Sequence, residues 1–290
     1  MNDLYGIDPT APESIRDLSD LMRIFGPGEG RFIAEFPDQW FVDLSSHMKS
    51  LSDLQQMAAI ELWLKIGRNA VLPTTVRFNS KWSWSENATA LKDHVVKLIG
   101  NKRCPATLEP IDKVLIDPRA FRDARGGHIP RTADAYAAAA RPLLQTSPKI
   151  VLVDPYFKLR YFDNRAGTFR PSTRHRNSLM ALFREAAVWK RVECFKLAVS
   201  SDQAFDGDKT GAIFDDQLLQ IRSQCGAQSI DMEVEVLDGS LSTDRHPRYL
   251  LGMHSGLHFD WGFDTGDVTS TNHIEWMGQS VLAPLLDRFT

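Results

Sequence analysis

Hydrophobic and polar positions follow a helical period through most of the first hundred residues. Apolar side chains recur every three or four positions over residues 13–25, 53–66 and 86–99, and a glycine follows each segment. Residues 31–36 are predicted to form a short strand. The pattern therefore predicts a mainly helical N-terminal region.

Beyond residue 145 the pattern alternates between strands and helices. The run Ile150-Val151-Leu152-Val153 is apolar throughout and ends at Asp154-Pro155, which is typical of a strand buried on both faces. The segments after it predict, in order, a helix (177–189), a strand (192–199), a helix (215–224), a strand (230–237), two short strands (248–253 and 257–259) and a final helix (274–289). This order predicts a three-layer α/β domain with an antiparallel addition at its end.

The two patterns meet in a stretch rich in turn-forming residues. Pro105 and Pro110 are followed by Gly126-Gly127 and Pro130. We place the boundary near residue 105, which gives an N-terminal region of residues 1–105 and an α/β domain of residues 106–290.

Composition and charge indicate a globular protein, but they do not identify its binding partner. The 290 residues are 43% hydrophobic and 24% charged, which is typical of a globular chain and excludes a disordered one. With 34 basic and 37 acidic side chains the formal charge is −3, so affinity for nucleic acid or an anionic membrane requires a local basic patch.

Cysteine usage and the N-terminus predict a cytoplasmic protein. Cys104, Cys194 and Cys225 are far apart and form no C-x-x-C pair, so neither a disulfide framework nor a zinc knuckle is expected. The first ten residues include Asp3 and Asp8 and lead into no apolar segment of a secretory signal. No segment is long and apolar enough for a bilayer span.

The densest polar chemistry lies near the end of the α/β domain. His246 and Arg248 are two residues apart, so in an extended chain both side chains point to one face. A guanidinium beside an imidazole is a phosphate-sized recognition site. A satisfied surface pair is the competing interpretation.

This segment resembles a known family. The sequence H-x-R-Y-L-L over residues 246–251, followed by S-G-L-x-F-D-x-G-F-D over residues 255–264, is similar to the signature of the phospholipase D-like superfamily. It is particularly similar to the degenerate single-copy form at the C-terminus of MIT-domain proteins. The resemblance covers residues 149–290, and Asp154-Pro155-Tyr156 looks like the end of an early strand of that fold. It implies a mixed sheet flanked by helices, with a phosphate site formed by His246, Arg248, Asp154 and Tyr156.

The chain departs from the active form of that family at decisive positions. The active motif is H-x-K-x-x-x-x-D in two copies, one histidine attacking phosphorus and the other protonating the leaving group. Here the lysine position is Arg248, the aspartate position is Met253, and no second copy exists. We therefore expect no catalytic residue; His246 would be the nucleophile only if a homodimer paired two copies of it.

A second candidate surface is the basic and aromatic stretch from residue 156 to residue 176. Its cations are interleaved with tyrosines and phenylalanines, a pattern that suits single-stranded nucleic acid. The predicted contacts are Lys158, Arg160, Arg165, Arg170, Arg174 and Arg176. A solvated loop before a helix explains the same pattern.

Taken together, the sequence predicts a phosphate-recognising module that does not turn its ligand over. The ligand would be nucleic acid or an anionic phospholipid, and the setting a bacterial multi-protein assembly with other protein subunits, such as one that defends against foreign DNA. His258, Asp260, Asp264 and Asp267 carry metal-ligand atoms, but their spacing fits no calcium loop, and we expect no metal or cofactor. The alternatives are a homodimeric phosphodiesterase or nuclease and a purely structural subunit.

Overall fold

A computed structural model describes most of the chain, in two compact units, Met1–Ala124 and Arg125–Thr290. The described residues are 3–26, 29–51, 54–117, 127–205, 211–237, 248–267, 269–277 and 279–289.

The first unit contains a sheet of five parallel strands in the order β3-β2-β1-β4-β5. Its strands are β1 (Asp3–Ile7), β2 (Arg31–Glu35), β3 (Val71–Pro73), β4 (Lys97–Gly100) and β5 (Glu109–Pro110). Its helices are α1 (Ile15–Ile24), α2 (Trp40–Ser50), α3 (Leu54–Gly67), α4 (Trp84–Leu91) and α5 (Ile111–Ile116).

Helices cover both faces of this sheet because alternate strand residues are apolar on both sides. Tyr5 and Ile33 belong to one buried cluster with residues of α1, α2, α3 and α5. Leu4 and Phe32 point the opposite way and belong to a cluster that includes Trp84 of α4. The first unit is thus a three-layer α/β unit.

Two expectations about this region need correction. The helices are present, but the helical pattern hid four of the five strands, and the helix predicted over residues 86–99 ends at Leu91 and gives way to β4. The boundary predicted near residue 105 lies inside the first unit, because Leu108, Ile111 and Val114 belong to its buried clusters.

The second unit is built on a mixed sheet in the order β11-β10-β7-β12-β13-β14-β6. Its strands are β6 (Gly127–Pro130), β7 (Lys149–Val153), β10 (Cys194–Ser200), β11 (Asp231–Leu237), β12 (Tyr249–Gly252), β13 (Gly256–Phe259) and β14 (Thr271–Met277). A separate antiparallel hairpin is formed by β8 (Arg160–Asp163) and β9 (Thr168–Pro171). The helices are α6 (Ala133–Thr146), α7 (Thr173–Trp189), α8 (Ser201–Ala204), α9 (Ala212–Gln224) and α10 (Gln279–Phe289).

The parallel and antiparallel halves of this sheet meet at β7. β10 is parallel to both β7 and β11, whereas β12 is antiparallel to β7 and leads into the antiparallel strands β13, β14 and β6. Residues of α6, α7 and α9 pack on one face with Leu152 and Leu197. Leu282 and Phe289 of α10 pack on the other face with Val151 and Ala198.

The predicted α/β class with a mixed sheet flanked by helices is confirmed, and so is the order of its central elements. The final helix is shorter than predicted: residues 271–277 form β14, and α10 begins at Gln279. Relation to the phospholipase D-like superfamily stays a prediction.

Candidate phosphate and nucleic-acid interface

Asp154 anchors the carboxyl end of β7. It is only 1% exposed. Oδ1 accepts a hydrogen bond from the backbone N–H of Tyr156 at 3.0 Å, and Oδ2 accepts one from the N–H of Phe263 at 3.1 Å. A side-chain carbon on Gly262 would lie 2.7 Å from Oδ2. The carboxyl group therefore fastens the loop of residues 260–264 to the end of the strand.

Burial dominates the electrostatics of this carboxyl group. Loss of solvent raises the pKa of Asp154 from 3.8 to about 6, although the two N–H donors and the nearby Arg248 act in the opposite direction. The group is ionised at neutral pH, at an energetic cost that its hydrogen bonds only partly offset.

Arg248 lies beside Asp154 and Tyr156, the two residues that the resemblance groups with it. Its Nε is 3.9 Å from Asp154 Oδ1, and its guanidinium carbon is 5.1 Å from the centre of the Tyr156 ring. Its Nη1 also donates a hydrogen bond to the carbonyl of Asp260. The side chain is 17% exposed. The structure thus brings three predicted phosphate contacts together, but it commits much of the guanidinium to protein groups and does not present it on an open surface.

His246 lies outside the described residues. The predicted alignment of His246 and Arg248 on one face therefore stays a prediction, and so does the alternative in which His246 is a nucleophile. Met253, at the aspartate position of the active family motif, is 49% exposed.

A polar network that the sequence did not predict continues from Asp154 to Asp264. The carboxylate of Asp264 pairs with Arg131 and lies 3.8 Å from Nη1 of Arg174. Its carbonyl accepts a hydrogen bond from the Tyr136 hydroxyl, which in turn accepts one from Asn272. Arg131 lies between β6 and α6, Tyr136 in α6 and Asn272 in β14, so only the folded chain brings them together.

His175, in the first turn of α7, is the buried imidazole of this region. It is 8% exposed and packs edge-on against Phe157, with ring centres 5.0 Å apart. Burial, together with the cations Lys158 and Arg174, lowers its pKa to about 4, although the carboxylate of Asp264 acts in the opposite direction. His175 is therefore neutral at physiological pH and contributes no charge to ligand binding.

The hairpin β8–β9 presents exposed aromatic rings. Phe162 is directly opposite Phe169, and the two rings meet edge to face with centres 5.1 Å apart. They are 44% and 41% exposed. Tyr161 lies on the other face of the hairpin and is 40% exposed. Both faces of the hairpin thus offer a ring to solvent.

The predicted nucleic-acid contacts differ in how free their cations are. Arg160 is buried, with its guanidinium carbon 4.4 Å from the centre of the Phe169 ring. Arg170 Nε is 2.7 Å from Asp163 Oδ2, and Arg176 donates to Gln224. Arg165 is exposed in the hairpin turn, Arg174 is 67% exposed, and Lys158 is half-buried. Arg165 and Arg174 are consequently the most accessible cations of the set.

Comparisons with known proteins do not assign a family. No family model matches the chain, and no curated protein matches it. Among solved structures, the chain is similar to TrmBL2, an archaeal chromatin protein described as showing a novel mode of DNA binding, over 61% of this chain and 56% of that one. The match therefore spans just over half of that protein. Its TM-score of 0.27 at 9% identity carries no argument about fold or function.

Two further features of the sequence can be compared with the described residues. No group of three or more His, Cys, Asp or Glu side chains among them is arranged to hold a metal ion. Of the metal-ligand candidates, Asp264 pairs with Arg131, and Asp267 accepts hydrogen bonds from Thr269. Within the same part of the chain no helix has the length and apolar character to cross a membrane.

Proposed function

We propose that this protein binds single-stranded nucleic acid, without turning it over, through the hairpin of residues 160–171. The observation that carries the proposal is the pair Phe162 and Phe169, exposed side by side on an arginine-bearing hairpin. Exposed rings of this kind stack on bases, and each stacked base contributes about 1–3 kcal/mol whatever its identity.

The arginines supply the complementary contacts to phosphate. Arg165 is exposed at the turn and can contact phosphate, whereas the buried Arg160 packs its guanidinium against Phe169 and supports the aromatic pair. Arg174 lies a few residues beyond the hairpin, at the start of α7. Rings that face bases and guanidinia that face the backbone form a sequence-tolerant surface.

Charge favours nucleic acid over an anionic membrane. Three arginines and one aspartate leave residues 160–171 with a net charge of +2. Recognition of anionic lipid typically uses a cluster of about four to eight lysines and arginines. With Arg174 the surface has four arginines, but Arg160 is buried and Arg170 pairs with Asp163, so fewer than four are available to lipid headgroups.

The test measures, by fluorescence anisotropy, the binding of a fluorescein-labelled oligothymidine of about 20 nucleotides. This length exceeds the site of about 4–16 nucleotides that one single-strand-binding module covers. The double variant Phe162→Ala/Phe169→Ala is expected to raise Kd at least about tenfold, because two stacking contacts are lost. Trp82→Ala is the matched control: Trp82 is 55% exposed and lies in the first unit. Binding should also weaken as salt rises.

The proposal is wrong if the double variant binds the oligonucleotide as the wild type does. It is equally wrong if the wild type does not bind the oligonucleotide but sediments with phosphatidylserine vesicles, because the surface would then be a membrane-binding one. Release of shortened oligonucleotide would establish turnover and favour the phosphodiesterase alternative.

A further inference from the structure

A cavity of about 550 Å³ lies between α2 and α3 in the first unit. It is lined by two neighbouring stripes of α2, one of which contains Val42 and Ser46, and by one stripe of α3. Phe41, Ser45 and Lys49 follow one another at four-residue spacing along α2. The stripe of α3 continues into the next turn and consists of Glu61, Leu64, Lys65 and Arg68. The volume is that of a site for a small molecule.

The charges around this cavity are unbalanced. Lys49, Lys65 and Arg68 face one carboxylate, Glu61, so the lining has a net charge of +2. Lys49 Nζ is 3.5 Å from Glu61 Oε1. Neither Lys65 nor Arg68 forms an ion pair with a described residue, and their three-residue separation puts two like charges on the same side, which is unfavourable without an anion.

The lining combines apolar and charged groups. Phe41 and Leu64 supply apolar contacts. Lys65 and Arg68 supply two cations, and Lys49 and Glu61 contribute an ion pair.

We propose that this cavity binds a nucleotide-like ligand, a small molecule that joins a di- or triphosphate to a ring. Lys65 and Arg68 would contact the phosphates, and Phe41 and Leu64 the apolar body. Glu61 would accept hydrogen bonds from hydroxyl or amino groups of the ligand. A simple fatty acid fits less well, because it has one charge and no hydrogen-bond donor for Glu61.

The experiment is calorimetric titration of the full chain with three probes: ATP, inorganic triphosphate and decanoate. ATP is expected to bind most tightly, and triphosphate more weakly because it lacks the ring. Lys65→Glu/Arg68→Glu should weaken ATP binding at least about tenfold, since two charge-assisted contacts are replaced by repulsion. Lys81→Glu reverses an exposed charge outside the cavity and should leave Kd unchanged.

Ser45→Trp fills the cavity without changing its charge and should also abolish ATP binding. Absence of ATP binding at concentrations up to about 1 mM, tighter binding of decanoate than of ATP, or unchanged binding in the Lys65/Arg68 variant would each overturn the proposal. The outcome is separate from that for the hairpin: Phe162→Ala/Phe169→Ala is expected to keep ATP binding, and Lys65→Glu/Arg68→Glu to keep oligonucleotide binding.

Discussion

At the scale of single residues, Asp154 determines how the end of β7 is built. Its grouping with Tyr156 and Arg248 was expected only from the resemblance to the phospholipase D-like superfamily, and the role of the three residues in phosphate binding stays a prediction. That Arg248 would be largely buried could not be predicted, because its partners Asp154 and Asp260 are brought to it by the sheet. The same holds for the network of Arg131, Tyr136 and Asp264.

Asp154 should make the stability of the second unit depend on pH. The ordinary pKa of an aspartate, 3.8, rises to about 6 for Asp154 in the fold, so the folded chain binds the proton more tightly. Its contribution to the free energy of unfolding is therefore fully present below about pH 4 and is lost as pH rises to about 6. We expect the stability advantage of the wild type over Asp154→Asn to shrink across that window.

Urea unfolding midpoints at several pH values measure this effect. At the acidic end Asp154→Asn is expected to be the less stable protein by about 1–3 kcal/mol, because the amide presents an NH2 donor where the carboxyl group has an acceptor oxygen. The difference is expected to fall towards zero above about pH 6. Asp216→Asn removes an exposed carboxylate of α9 and serves as the control. An advantage that grows with rising pH would contradict the raised pKa of Asp154.

At the scale of elements, pairing with neighbouring strands overrode the local pattern. Residues 97–100 extend a helical period, yet they form β4 because they pair with β1 in the middle of a sheet. Residues 271–277 likewise form β14 between β13 and β6, with Asn272 and Ile274 buried. The hairpin β8–β9 was not predicted from the sequence. Its residues are mostly exposed, so they lack the alternation of apolar and polar positions that indicates a half-buried strand.

The loop of residues 260–264 depends on a glycine that packs directly against the strand end. Gly262 has φ of +81°, which favours glycine, and a Cβ there would also approach Asp154 Oδ2 to 2.7 Å. We expect Gly262→Ala to destabilise the second unit by about 1–3 kcal/mol more than a glycine-to-alanine substitution at another position of positive φ where the added methyl group touches nothing.

Gly226→Ala provides that comparison, because Gly226 has φ of +68° and open space around its Cα. Thermal unfolding of both variants separates the backbone cost from the contact cost. Equal losses in the two variants would show that the fit between Gly262 and Asp154 contributes nothing.

At the scale of the whole molecule, sequence and structure agree best where elements are long. The order from β7 through α7, β10 and α9 to β11 follows the predicted alternation, and the parallel pairing of β7, β10 and β11 follows from it. In the first unit, β3, β4 and β5 are two to four residues long, too short for a periodic signal. The helices predicted over residues 13–25 and 53–66 dominated that region and hid most of its sheet, and α2 was itself not predicted.

The position of the boundary between the units gives the last prediction. Leu108, Ile111 and Val114 are 6%, 0% and 2% exposed within the first unit. Burial of such side chains contributes about 1.5–3 kcal/mol each, which together approaches the whole stability of about 5–15 kcal/mol expected for a domain.

A fragment of residues 1–124 is therefore expected to unfold cooperatively on heating, whereas a fragment of residues 1–105 should not fold. Circular dichroism during thermal denaturation distinguishes them, and Ile111→Ala/Val114→Ala in the longer fragment should reproduce much of the loss. Equal transitions for both fragments would place the boundary near residue 105, with α5 outside the cooperative unit.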